Sequence, residues 1–282
     1  AYIGSKALFV MDSGGGSKQK TVENPIVSAK VSSQGMVAVL MENKKKYIFE
    51  LYNLNQSETI LHTFETKVND GFIIDYDLSP DGQNIVVSYL TVKNGISRSH
   101  VVFYNFNNPK VDNNYFTASF IYEQTIVPQV VFLNNTIACA FGDNKFYTFS
   151  VQQTPSILFE PEQEYDSEIR SVLYSDRYIG FIFDNYEADN KYKLYLYSPS
   201  GKLELEQPFN YDYNEAQIHK NEIIFRSDRE VTVLNANGKL KFHSVFEDTV
   251  YNIFPTSRWN RYTIVNSTHI QQIKLSGNGK GE

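Results

Sequence analysis

The feature that most constrains this chain is a unit of four short strands that returns about every 45 residues across residues 25–249. The clearest copy opens at residue 72. Ile74, Tyr76 and Leu78 alternate with Asp75 and Asp77, the period-two pattern of a half-buried strand. Ser79-Pro80-Asp81-Gly82 then supplies a tight turn: proline presets φ, aspartate bonds its own backbone, and glycine tolerates positive φ. A second strand follows over 85–90, an extended loop is expected over 91–99, and Val101-Val102-Phe103-Tyr104 forms a third. Comparable units occupy 25–67, 69–124, 125–166, 167–212 and 213–249, with turn residues at matching offsets. No stretch of ten or more residues carries a 3.6-residue apolar period, so helices are not expected.

Four short antiparallel strands per unit, repeated at this period, point to an all-β chain folded as a β-propeller. A β-sandwich also has many short strands, but it does not repeat a four-strand unit five times. The ends, 1–24 and 250–282, hold more than one blade and less than two. Seven blades are therefore favoured, with six and a shared closing blade as the alternative. An unclosed ring would leave exposed strand edges, so the N- and C-terminal strands are expected to close it. This gives one propeller domain over 1–275 and a polar tail over 276–282.

Composition narrows the partners. The chain has 20 Tyr and 20 Phe against 3 Met and 1 Trp, a composition suited to strands. Its formal charge of -6 is spread among interspersed acids and bases, which argues against nucleic-acid and polybasic membrane-binding roles. Cys139, the single cysteine, excludes an intrachain disulfide and lies in an apolar run as a small core residue. No run approaches the ~20 apolar residues of a membrane span, and no signal peptide is present. The chain starts within a strand and without Met, as a piece trimmed from a longer protein would.

Residues 79–106 (SPDGQNIVVSYLTVKNGISRSHVVFYNF), 130–150 (VVFLNNTIACAFGDNKFYTFS) and 25–43 (PIVSAKVSSQGMVAVLMEN) resemble an uncharacterised β-propeller family, catalogued as a domain of unknown function. Its members come mostly from Gram-positive anaerobic bacteria. The resemblance covers nearly the whole chain. It implies an extracytoplasmic propeller, held at the cell membrane by an N-terminal helix that this sequence lacks. The family has no agreed catalytic residues, so none carries over.

In a propeller the first strand of each blade lines the central channel. Aligning those strands on their turns places Ser28, Asp75, Gln129, Arg170 and Glu215 at one level and Lys30, Asp77 and Gln217 at another. These are the candidate channel ligands, though the favoured reading is that they order channel water and pair with one another. Asp75 and Asp77 share a face and would repel or hold a cation. The loop 184–190 offers oxygen ligands for Ca²⁺ but lacks the glycine and spacing of an EF-hand, so a solvated hairpin is favoured. The five histidines stand singly and form no local zinc site, although a propeller can gather metal ligands from separate blades; no metal or cofactor is assigned. Arg258, Trp259 and Arg261 fall in a turn of the last unit, where an exposed Trp between arginines would mark an interaction surface or cover the closure seam.

No nucleophile elbow, phosphate-binding glycine loop or other catalytic constellation appears. The favoured expectation is a monomeric, non-catalytic module that binds protein at the cell envelope. The alternative is a small-molecule or glycan-binding propeller, possibly an enzyme, working at a channel mouth around Asp75, Arg170 and Glu215.

Overall fold

A computed structural model describes residues 2–274 except 4, 12–14, 45, 54–59, 68–70, 108–114, 153, 162–168 and 187–188. The described residues form strands and turns, grouped into two compact units, Ala1–Glu164 and Tyr165–Glu282.

The first unit holds four sheets. A three-stranded sheet comprises β1 (Tyr2–Ile3), β2 (Ala7–Met11) and β3 (Ser17–Thr21). The next contains β4 (Ile26–Val31), β5 (Met36–Asn43), β6 (Lys46–Asn53) and β7 (Ile60–Lys67). Then come β8 (Phe72–Leu78), β9 (Asn84–Lys93), β10 (Ile96–Asn105) and β11 (Phe116–Glu123). The fourth is β12 (Gln129–Phe132), β13 (Ile137–Phe141), β14 (Phe146–Ser150) and β15 (Ser156–Phe159).

The second unit holds three. One has β16 (Ile169–Tyr174), β17 (Ile179–Asp184), β18 (Tyr192–Tyr197) and β19 (Leu203–Phe209). Another has β20 (Glu215–His219), β21 (Glu222–Arg226), β22 (Glu230–Asn235) and β23 (Leu240–Val245). The last is three-stranded: β24 (Val250–Pro255), β25 (Arg261–Asn266) and β26 (Ile270–Lys274). In every sheet the strands follow chain order and pair antiparallel, as hairpin-linked units do.

Each core lies between neighbouring sheets of one unit. Second strands such as β5, β13 and β17 are buried along nearly their whole length, and β5 is so because its sheet packs on one side against β1–β3 and on the other against β8–β11. The β4–β7 and β8–β11 sheets meet through Phe49, Phe64 and Tyr76, with Phe49 stacked on Phe64 at 4.8 Å and edge-on to Tyr76 at 5.1 Å. In the second unit Phe209, Tyr213 and Phe225 play the same part. Cys139 is fully buried, and burial pushes its thiol well above the usual range.

The Ser79–Gly82 turn locks one sheet to its neighbours. Ser79 Oγ donates to Asp81 Oδ1 at 2.6 Å and accepts from the Asn84 amide at 3.0 Å, while the Asp81 amide donates to Asn135 Oδ1 at 3.0 Å on the following sheet. Gly82 sits at φ 70°, and a Cβ there would lie 2.2 Å from Met36 Cγ on the preceding sheet. One expectation is corrected here. The extended loop over 91–99 does not exist: β9 and β10 run on to a two-residue turn at Asn94-Gly95, with φ 55° and 77°. Two successive positive φ values match the right-handed twist of long hairpin strands, and Asn-Gly adopts them readily.

Candidate functional site

The polar residues of the first strands act mainly as straps. Strand β12 pairs with β13 along one edge, which leaves the Val130 and Phe132 amides facing β8. Asp75 accepts from Val130 N at 3.0 Å and Asp77 from Phe132 N at 2.7 Å. The other Asp75 oxygen pairs with Lys30 Nζ at 2.8 Å. These contacts answer the buried-amide problem of a short strand with only one paired edge. Burial raises the Asp77 carboxyl above its ordinary value, opposed by the Phe132 amide and then by Lys30.

The Lys30 side chain thus reaches Asp75, one step along the strand direction from Asp77. Ser28 Oγ donates to Tyr76 Oη at 3.2 Å, and Gln129 is half-buried at the start of β12.

The second unit repeats the logic. Gln217 Nε2 donates to Ile253 O at 2.8 Å, and Arg226 Nη1 to Val250 O at 2.9 Å, both on β24. Glu215 pairs with Arg226. Arg170 pairs with Asp184 at 3.0 Å and lies over the rings of Tyr192 and Tyr213, 4.9 and 5.6 Å from their centroids. Asp184, the first oxygen donor of the 184–190 loop, is thus engaged by arginine, and residues 187–188 of that loop lie outside the described residues.

A groove of about 320 Å³ lies elsewhere in the second unit. One wall is the β20–β21 turn, His219 to Glu222; the other is the β24–β25 loop from Pro255 to Arg261, and Tyr262 lies beneath. The loop is held by its own backbone. Thr256 N donates to Arg261 O at 2.8 Å, and Thr256 Oγ1 accepts from Arg258 N at 3.2 Å. Ala236 N fixes the opposite turn by donating to Asn221 O at 2.8 Å. Trp259, at the loop tip, is 83% exposed.

Beneath the groove, the Glu222 carboxylate accepts from both Tyr262 Oη and Lys241 Nζ, and Lys241 also donates to Tyr262 Oη at 3.1 Å. Burial first, then the bond to Glu222, drives the Tyr262 hydroxyl far above its ordinary pKa, so it stays a neutral donor. Lys220, Arg258 and Arg261 make no side-chain ion pair among the described residues.

Arg258, Trp259 and Arg261 were legible as a surface turn. Lys220, Glu222, Lys241 and Tyr262 were not, although the 219–221 turn occupies in its repeat the offset that 256–260 occupies in the next. A second concavity, about 330 Å³, lies in the first unit against Glu65, Thr66, Tyr89, His100 and Phe116.

A family model described as "Family of unknown function (DUF5711)" matches residues 2–275. No curated protein matches the chain. Among solved structures, BamB from Moraxella catarrhalis is 12% identical with a TM-score of 0.51, covering 98% of this chain and 78% of its own. The WD40 domain of Toxoplasma gondii coronin is 9% identical with a TM-score of 0.55, covering 89% and 68%. Dihydro-heme d1 dehydrogenase NirN, in complex with DHE, is 10% identical with a TM-score of 0.61, covering 99% and 61%. At such identities the likeness shows the fold alone, that of β-propellers.

Proposed function

Because the chain belongs to the family of unknown function DUF5711, whose description supplies no activity, we propose from its own geometry that it is a non-catalytic protein-interaction module. The observation that carries this reading is Trp259: a large ring, 83% exposed on a loop closed by its own hydrogen bonds, between Arg258 and Arg261. Exposed Trp and Arg on a rigid loop are the side chains that most often anchor a protein contact, since little entropy is lost when a partner covers them. The polar first strands support the same reading by default. Asp75, Asp77 and Gln217 are occupied by neighbouring backbone, and Lys30, Arg170 and Glu215 by ion pairs, which weakens the alternative of ligand capture by a polar channel.

In this reading the seven sheets are blades of one monomeric propeller over 1–275, closed by the terminal strands. It stands outside the cytoplasm, tethered to the membrane by a segment preceding residue 1; that placement rests on the family resemblance alone. The test is affinity capture from an envelope extract of the encoding organism, with the wild-type chain and a Trp259→Ala chain as parallel baits. A protein retained by wild type, lost with Trp259→Ala, and rebinding as a purified component supports the module. Equal capture by both baits refutes the groove as the docking site.

A further inference from the structure

We infer that the groove beside Trp259 takes an acidic, extended peptide segment that carries an apolar side chain; this rests on the interaction-module reading and specifies the partner's chemistry. Charge balance is the first ground. Among the residues that line the groove, Lys220, Arg258 and Arg261 are cationic and make no ion pair among the described residues. The carboxylate there, Glu222, is already matched by Lys241 and by the Tyr262 hydroxyl. The groove therefore presents a local excess of positive charge in a chain whose formal charge is -6. Such a patch draws anionic segments to itself while the rest of the surface repels them.

The shape of the groove selects among anions. The cations stand on two separate turns, Lys220 on one side and Arg258 and Arg261 on the other, and the latter turn also carries the Trp259 ring and Pro255. Spaced charges flanking an apolar surface suit carboxylates spread along an extended chain with one side chain laid on the indole. No run of glycines or helix N-terminus gathers amides on one phosphate here. Three cations in a net-negative chain also fall short of the continuous basic track that a nucleic acid requires.

Trp259 is the sole tryptophan, so indole emission reports this groove and nothing else. The experiment titrates the full chain with a synthetic heptapeptide, Asp-Glu-Asp-Phe-Asp-Glu-Asp. Controls are the same peptide with central Gly, its Lys-substituted counterpart, and a uronic-acid oligosaccharide. Saturable change with the acidic Phe peptide is expected. It should weaken at least about tenfold on Arg258→Glu, an exposed position, with unchanged far-UV circular dichroism as the check on folding, and also weaken as salt rises.

A loss of response on replacing Phe by Gly supports the apolar part of the inference. Saturation by the oligosaccharide with none by the peptide overturns the inference. So does binding of the Lys peptide as tight as that of the acidic one, or silence from every probe. If probes are silent yet an envelope protein is still captured in a Trp259-dependent way, only the partner chemistry fails and the interaction reading stands. If neither occurs, both fail.

Discussion

Asp77→Ala is the sharpest test of the strap reading. In the wild type the Asp77 carboxylate accepts from the Phe132 amide at 2.7 Å, so removing it strands an N–H donor of a short strand with one paired edge. A buried donor left unpaired costs about 1–3 kcal/mol, and relief of the repulsion with Asp75 returns part of that, giving a net loss of about 2 kcal/mol. With an m-value of about 3 kcal/mol/M for a chain of this size, the urea midpoint should fall by roughly 0.7 M, read by far-UV circular dichroism.

Asp77→Asn separates acceptor from charge. Its Oδ1 still accepts the Phe132 amide, so stability should stay within about 1 kcal/mol of wild type at neutral pH. The sign of the pH effect follows from the raised carboxyl. As pH climbs through the ordinary value of 3.8 the unfolded chain ionises first, while the native carboxyl holds its proton until higher pH. Wild-type stability relative to Asp77→Asn must then fall across that window and level off above it. An Asp77→Ala loss below about 0.5 kcal/mol, the range of an indifferent surface change, would refute the strap.

Two further outcomes follow from geometry. Gly82 and Gly95 both hold positive φ, but a Cβ at Gly82 meets Met36 at 2.2 Å while one at Gly95 meets nothing within 4 Å. Gly95→Ala should cost about 1 kcal/mol of backbone strain, and Gly82→Ala about 2 kcal/mol or more once overpacking is added, compared by thermal unfolding; equal losses would sink the packing argument. His62, stacked on Phe106 at 5.1 Å, has its pKa lowered by burial below the ordinary 6.5. The unfolded chain therefore takes up the proton first, and stability is lost as pH falls from 6.5 toward the native value; His62→Phe should show a shallower decline in melting temperature over that range.

The strand-turn-strand grammar was local, and so it was readable. Alternation in β8, the Ser79–Gly82 turn and the unbroken apolar runs of β5 and β13 depend on neighbours a few residues away. From them the all-β class, the four-stranded unit and the buried state of Cys139 could be derived. The 91–99 segment misled because its polar residues, Lys93 to Ser99, read as loop. Long-hairpin pairing of Thr91 with Arg98 and Leu90 with Ser99 overrode that composition.

What Asp75 and Asp77 do was decided only in three dimensions. Period two placed both on one face of β8, but it carried no information about which amides of another sheet lack a partner. Those amides belong to Val130 and Phe132, 55 residues away, and Asp75 and Asp77 serve them as straps. Trp259 shows the complement. Its turn and its flanking arginines were local facts, whereas the groove needed Lys220 and Glu222 from another hairpin. Sequence periodicity determined which residues face the same way; tertiary packing decided which of them still had a hydrogen bond or a charge left to offer.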